Sequence, residues 1–378
     1  MKHRAAHNLY ENKNFWGDVT VKKFRIFIFL CAAVFTVLLS FSAYKTPRYL
    51  GKLSCDKNGN FTILAVSDPQ CDTEEQWQEA TSELETLLLR SDPDLVLICG
   101  DINSDNYIPQ KMWTRFISPL TKRKIPWATL NGNHDPFTKA HYEMFRQSEY
   151  CLNRTVRKSD ENYEETRPMN YVLPIYSHDK KRIVFAVYGM DTGTENEHGY
   201  EGVCDKQIAW YRAQSERLKQ KAQGKTIPAL LCLHIPLPQT LDLYHSTDNP
   251  VFGVVNEKDN GTKNYLCENG MVVDKSWIRA TAKENDRGLF QAVLAQGDVK
   301  AILFGHVHKT NLIGSYKGVL LGFTGKLSTG CYSDERCRGG RVLRFHEDDP
   351  ENFTVSWLGA LDTCRDQPPI YADGTPVK

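Results

Sequence analysis

KIPWATLNGNHD, residues 124–135, ends a short strand-like run (Trp127-Ala128-Thr129-Leu130) with two amides, an imidazole and a carboxylate. Working outward, four more segments close an apolar run with metal-binding side chains. Upstream lie Val66-Ser67-Asp68-Pro69-Gln70 and Cys99-Gly100-Asp101; downstream lie Leu233-His234-Ile235 and Gly305-His306-Val307-His308. Carboxylate, amide oxygen and imidazole together suit borderline metals such as Mn, Fe or Zn. A carboxylate shared between two such ions makes a clamp for phosphoryl transfer. Taken singly, Asp68 and Asp101 are compatible with turns after strands, Asn133 with a turn beside Gly132, and His234 with a core histidine. Five such segments in this order read as one binuclear metal site.

The chain has 378 residues and a formal net charge of +1. A near-balanced charge gives no electrostatic case for nucleic acid, and none is expected as a partner. Ile26 to Tyr44 carries no charge and, at about 19 residues, matches a bilayer-crossing helix. Lys22, Lys23 and Arg25 precede it, whereas Lys45, Arg48 and Lys52 follow, so the charge asymmetry is modest. The expectation is an uncleaved signal anchor and a single-pass type II membrane protein with its body luminal or extracellular. The alternative is a signal peptide cleaved near Ser40-Phe41-Ser42, which would leave the body secreted. Four glycosylation sequons, at Asn60, Asn153, Asn260 and Asn352, all follow the apolar run, and the chain has eleven cysteines. Both features fit an oxidising compartment. Cys99 and Cys232 read as buried thiols. Cys55, Cys71, Cys151, Cys204, Cys267, Cys331, Cys337 and Cys364 are disulfide candidates of open pairing.

The organisation follows. Residues 1–25 read as a cytosolic tail, 26–44 as the transmembrane segment, 45–60 as a stem, 61–360 as the catalytic domain and 361–378 as a polar, Pro-rich tail. Phe61–Val66, Asp94–Cys99, Trp127–Leu130, Arg182–Val187, Ala229–Leu233 and Ala301–Phe304 read as strands. Thr73-Glu74-Glu75-Gln76 fits a capping box, and Trp77, Ala80, Leu84, Leu87 and Leu88 follow at helical spacing. Further helices are expected near 110–122 and 207–223. Alternating strands and helices, with motifs at strand ends, predict an α/β fold whose site lies beyond the carboxyl edges of strands. Residues 138–180 read as a polar, irregular insertion, and 240–285 as loop-rich. The short apolar runs 318–323, 340–345 and 353–358 look like a meander.

The order D-x-Q, GD, GNHD, a lone His and GHxH resembles the calcineurin-like metallophosphoesterase superfamily, whose pattern is D-x-H, GD, GNH[DE], a lone His and GHxH, over roughly Phe61 to Leu358. Within it, "KIPWATLNGNHD", "HIPLP" (234–238), "GYEGVCDKQIAWY" (199–211) and "RGLFQAVLAQGDVKAILFGHVH" (287–308) look like the purple acid phosphatase 29-like group. The resemblance implies a four-layer α/β/β/α sandwich, here preceded by one N-terminal transmembrane helix, and two divalent or mixed-valence metal ions. It implies Asp68, Gln70 and His308 on the first metal, Asp101 bridging, and Asn133, His234 and His306 on the second. His134 would contact the phosphate and protonate the leaving oxygen. The implied activity is hydrolysis of phosphate esters by attack of a metal-bound hydroxide, with monoesters favoured. Two alternatives stay open: a phosphodiesterase acting on nucleotides or lipid head groups, and a catalytically impaired binding glycoprotein.

Two positions depart from the pattern. Gln70 stands where a His is usual; an amide oxygen is a weaker donor than imidazole, or the side chain simply hydrogen-bonds nearby. Ser104 stands three residues after the bridging Asp, where purple enzymes carry a Tyr, so no purple colour is expected. Asp105 is a candidate to orient His134. Arg336 and Arg338 are read as part of a disulfide-stapled surface loop, with contact to an anionic substrate as the alternative.

Overall fold

Three parallel strands deliver the first three motifs to one edge. They are β1 (Asn60–Val66), β2 (Leu95–Ile98) and β3 (Trp127–Thr129). In register, Ile63 faces Leu95 and Val96 faces Trp127. The computed structural model describes residues 51–104, 108–135, 138–153, 169–243, 255–256, 263–265 and 278–377. Within it the chain builds a mixed α/β sandwich of two large sheets.

The remaining strands are β4 (Tyr171–Tyr176), β5 (Ile183–Gly189), β6 (Glu195–Asn196), β7 (Gly199–Tyr200), β8 (Ala229–Leu233), β9 (Val255–Asn256), β10 (Lys263–Tyr265), β11 (Val299–Phe304), β12 (Ile313–Tyr316), β13 (Val319–Phe323), β14 (Gly339–His346), β15 (Thr354–Gly359) and β16 (Gln367–Tyr371). One sheet runs β16-β15-β14-β1-β2-β3, the other β4-β5-β8-β11-β13-β12-β10-β9. β5, β8 and β11 are parallel neighbours, so the last two motifs also leave from adjacent carboxyl ends.

Strands buried on both faces need apolar residues at every position, and β1 shows it. Ile63 and Ala65 point between the sheets towards Phe185, Leu230 and Leu303, while Leu64 and Val66 pack outward with Trp77 and Leu84. Those two belong to α1 (Glu74–Ser91), whose start carries the expected capping box: Thr73 accepts from the Gln76 N–H and the Gln76 side chain accepts from the Thr73 N–H. On the other sheet, α5 (Asp205–Lys221) and α6 (Leu289–Gln296) bury Tyr211, Leu289 and Phe290 against Tyr188, Leu231 and Ile302. The stretch expected as one helix near 110–122 is two, α2 (Gln110–Phe116) and α3 (Ser118–Arg123), with Pro119 in the first turn of the second.

Several expectations change. The presumed insertion contains α4 (Lys139–Gln147) and β4, where Pro174 is tolerated because β4 is the edge strand of its sheet. The stem packs from Leu53 onward: Leu53 and Cys55 are buried in the core between the sheets. The tail contributes β16, and the buried Arg341 guanidinium donates to Gln367 Oε1 at 2.7 Å. The meander is split, with β12–β13 in one sheet and β14–β15–β16 in the other.

The placement as a single-pass membrane protein is corrected. Among the described residues no helix is long and apolar enough to cross a membrane. The apolar segment 26–44 and the tail 1–25 lie outside the described residues, as do Asp105, Cys267 and Asn260. The disulfide expectation is also corrected. No disulfide joins two described cysteines, and Cys55, Cys71, Cys331 and Cys364 are free thiols. Of the sequons, Asn153 is buried, and its amide donates to the Thr129 carbonyl and accepts from the Thr129 N–H. That geometry leaves no room for a glycan. Arg336 pairs with Asp334, and the buried Arg338 pairs with Glu79 and Glu83, so both cations are engaged away from the metal-site pocket.

Candidate metal centre

The ends of β1, β2, β3, β8 and β11 converge, and they bring all eight expected residues to one place. Asp101, His234 and His306 offer ligand atoms within 4.8 Å of one another; so do Asp68, Asp101 and His308. Asp101 is common to both groups. Asn133 joins the first through Oδ1, 3.1 Å from His234 Nε2, and Gln70 joins the second through Nε2, 3.1 Å from Asp101 Oδ2. His134 lies at the exposed rim, with its backbone N–H donating to Asp101 Oδ1 at 2.9 Å.

Tight turns aim these side chains. Asp68, Gln70, Asp101 and His306 have φ of 54°, 39°, 51° and 70°. The left-handed region is costly for residues with a Cβ and persists where the surroundings over-determine it. Here they do. Asp68 N–H bonds the Gly100 carbonyl, Gln70 N–H the Asp101 carbonyl, and His306 N–H the Asp68 carboxylate, at 2.9–3.1 Å. Gly132 and Gly305 have no side chain because none fits. A Cβ at Gly132 would run into the Asp101 carboxylate, and one at Gly305 into Ser67 Oγ. Asp135, fully buried, accepts from the N–H groups of Gly132 and Ile102 at 2.8 Å each and ties the β2 and β3 loops together.

Hydrogen bonds set the imidazole tautomers. His234 Nδ1 lies 2.7 Å from the Cys99 carbonyl, and His308 Nδ1 lies 2.8 Å from that of Tyr332. A carbonyl only accepts, so each Nδ1 carries its proton and each Nε2 faces the site, the arrangement of metal-binding histidines. Burial would raise the Asp101 carboxyl, but the His234 imidazole outweighs it and holds Asp101 far below the usual range. Burial also opposes charge on His234, yet Asp101 and Asp68 push it up to about 10. His306 goes the other way: burial and the neighbouring His234 push it down to about 3.

The residues fit a metal pair. Among the buried side-chain atoms without a hydrogen-bond partner in the described residues are Gln70 Oε1 and His306 Nε2. Each unpaired buried acceptor costs about 1–3 kcal/mol, and both belong to the converging set. Gln70 therefore does two things. Its NH2 anchors on Asp101, and its oxygen is left for a cation.

Four neighbours stand outside the set of expected site residues. Lys326 is fully buried and its Nζ donates to the Asp68 carbonyl at 2.8 Å. Tyr200 meets His306 edge-on at 4.5 Å, and Tyr332 stacks on His308 at 4.2 Å. Arg279 and these two tyrosines line the site's cavity of about 130 Å³, together with Gln70, Asp101, His134, His306, His308 and Cys331. Tyr200 lies inside the quoted "GYEGVCDKQIAWY" stretch; the others come from segments that alignment to a motif cannot reach.

Comparison with known proteins agrees with this geometry. A protein of Arabidopsis thaliana named probable inactive purple acid phosphatase 29 is 27% identical over 342 residues, covering 79% of this chain and 80% of its own. Another from that plant, named probable inactive purple acid phosphatase 14, is 23% identical over 383 residues, covering 89% and 86%. The crystal structure of a dimetal phosphatase from Danio rerio shares the fold at 14% identity and a TM-score of 0.50, covering 82% of this chain and 99% of that one. The calcineurin-like phosphoesterase family model matches residues 61–310. With that match spanning more than half its length, the chain belongs to the calcineurin-like phosphoesterase family, in its purple acid phosphatase-like grouping.

Proposed function

We propose that this chain is a metal-dependent hydrolase of phosphate esters, acting on monoesters. The observation that carries this reading is the pair of three-residue ligand groups sharing Asp101. Asp68, Gln70 and His308 would hold one cation, Asn133, His234 and His306 the other, and Asp101 both. Bound there, Mn, Fe or Zn ions would supply Lewis acidity towards phosphate oxygens and a nucleophile at neutral pH.

The chain's own groups do the rest. Asp101 and Asp68 would supply two negative charges to the cations. Cys99 and Tyr332 hold the His234 and His308 rings in the tautomer that presents Nε2. His134 lines the cavity at its open rim, with its backbone held by the N–H bond to Asp101, and would give a proton to the leaving oxygen. The cavity over the ligand groups is small, about 130 Å³.

The second reading is a protein that keeps the site to bind a ligand without turnover. The names of the Arabidopsis relatives favour it, as does Gln70 in place of His. The test is hydrolysis of an aryl phosphate monoester and the matching diester with added Mn, Fe or Zn, beside Asp101→Ala. Metal-dependent turnover lost in Asp101→Ala supports the hydrolase. Folded, metal-loaded protein that turns over neither ester supports the binding reading.

A further inference from the structure

The cavity over the ligand groups has one guanidinium in its wall, that of Arg279. Other exposed arginines of the body, such as Arg90, Arg115 and Arg336, pair with carboxylates at 2.5–2.9 Å. Among the described residues, no carboxylate lies within ion-pair distance of Arg279. Its hydrogen bond is to the Tyr200 hydroxyl, at 3.3 Å from Nη1. An Arg carries five N–H donors in a planar fork that matches two oxygens of a phosphate, so most of this fork is available to a ligand.

The backbone under Arg279 is unusually well fixed for a rim segment. Thr281 N–H donates to the Pro236 carbonyl, two residues past His234, at 2.9 Å. Ala282 N–H donates to the Tyr200 carbonyl at 2.9 Å, and Thr281 Oγ1 to that of Glu201 at 3.1 Å. The buried Asn285 amide exchanges two bonds with Asn196, at 2.9 and 3.0 Å, and donates to Tyr200 again at 3.0 Å. Gly202 leaves the space that the Thr281 methyl fills. These bonds lock the segment to the β6–β7 hairpin. Tyr200, from that hairpin, touches the His306 ring on one side and Arg279 on the other. A charged group held ready, with its backbone already ordered, loses little on binding.

We propose that Arg279, positioned by Tyr200, grips the non-bridging oxygens of the phosphate and so makes the site selective for monoester dianions over diester monoanions. This rests on the hydrolase reading for turnover, but not for binding. A monoester offers three non-bridging oxygens: enough for a metal pair and for an arginine in the cavity wall. A diester replaces one of them with a second organic substituent, which leaves only two oxygens to share between the metal pair and the arginine.

The experiment compares wild type, Arg279→Ala and Arg279→Lys, each loaded with Mn and its metal content counted. Aryl monoester and diester kinetics and orthophosphate titration calorimetry are measured on all three. Arg279 is exposed and touches no proposed metal ligand, so metal content and melting temperature should hold. The expected result for Arg279→Ala is orthophosphate binding and monoester KM weaker by tenfold or more and a fall in the monoester-over-diester preference in kcat/KM; a preference unchanged from wild type overturns the selectivity. Arg279→Lys should restore charge but not the fork, and recover only part. If wild type hydrolyses nothing yet binds orthophosphate in an Arg279-dependent way, the phosphate grip stands and the hydrolase reading falls. Orthophosphate binding that is absent in wild type, or unchanged within twofold in Arg279→Ala, overturns the grip.

Discussion

Metal binding at this centre should expel a proton from His234. In the metal-free protein, His234 Nε2 sits 3.2 Å from Asp101 Oδ2 and 3.1 Å from Asn133 Oδ1, two acceptors, while Nδ1 already donates to Cys99. Both ring nitrogens thus have reason to carry hydrogen, in keeping with a pKa pushed up to about 10 by Asp101 and Asp68 against the effect of burial. A cation needs the Nε2 lone pair, so that proton must leave. The sign follows. His234 is charged below about pH 10, and each unit of pH below that costs about 1.36 kcal/mol of binding, or tenfold in affinity. At pH 7 the total is on the order of 4 kcal/mol. His306, pushed down to about 3, is already neutral, and Asp101 already ionised, so neither adds a proton. The assay is calorimetric titration of Mn or Zn into apo protein at pH 7 in two buffers of different ionisation enthalpy. The expected difference corresponds to at least one proton released per chain, with affinity rising tenfold per unit from pH 6 to 8. Stoichiometric binding with no buffer dependence and a flat pH profile would falsify the reasoning, because it would mean that His234 is not protonated before the metal arrives.

Three further outcomes follow from named contacts. Gln70→His replaces an amide oxygen with imidazole at the first metal group and should tighten metal binding there by tenfold or more, read by competition with a chelator. Gly132→Ala drives a methyl into the Asp101 carboxylate; overpacking of this kind costs about 1–3 kcal/mol, so a lower melting temperature and a loss of bound metal are expected together. Arg341→Met leaves the Phe323 carbonyl and Gln367 Oε1 without their buried donor, while the Asn311 carbonyl keeps the Gln367 Nε2 donor at 3.2 Å. At about 1–3 kcal/mol for each unsatisfied group, it should destabilise the body by several kcal/mol and expose the β16 segment to proteolysis.

The site was legible because each ligand lies within a few residues of a strand end, and strand ends are local. Val66 announces Asp68, Ile98 announces Asp101 and Phe304 announces His306, each through an apolar run that burial on both faces requires. The helix after Thr73 was legible for the same reason, its capping box and stripe lying within 16 residues. β4 was missed although Tyr171, Leu173 and Ile175 alternate correctly, because Pro174 argues against a strand until its edge position is known. β16 was missed because two prolines mark it as loop, and only Arg341, 26 residues earlier, shows what Gln367 is for. The pocket wall was beyond reach in principle. Nothing near Arg279 in sequence points to Tyr200, and the bonds that join them span about 80 residues.

The left-handed residues show why this site must be built from two sheets at once. Asp68, Gln70, Asp101 and His306 are each bent against their intrinsic preference, at about 1–3 kcal/mol apiece. No single loop could hold that strain. Three of the four bends are clamped by a neighbour instead: Asp68 and Gln70 after β1 by Gly100 and Asp101 after β2, His306 after β11 by Asp68 across the sandwich. The clamps are themselves site residues, so the geometry is mutual. Displacing one ligand loosens the next, and the chain Gly100–Asp68–His306 runs from one sheet to the other. A substitution that frees Asp68 should therefore act on both metal groups, including the one to which Asp68 contributes no ligand. Asp68→Ala removes the acceptor of the His306 N–H and should release His306 from φ 70°. The expected result is loss of both cations by metal counting, where simple removal of one ligand would cost one. Retention of a single, fully occupied cation in Asp68→Ala would show that the two halves are held independently.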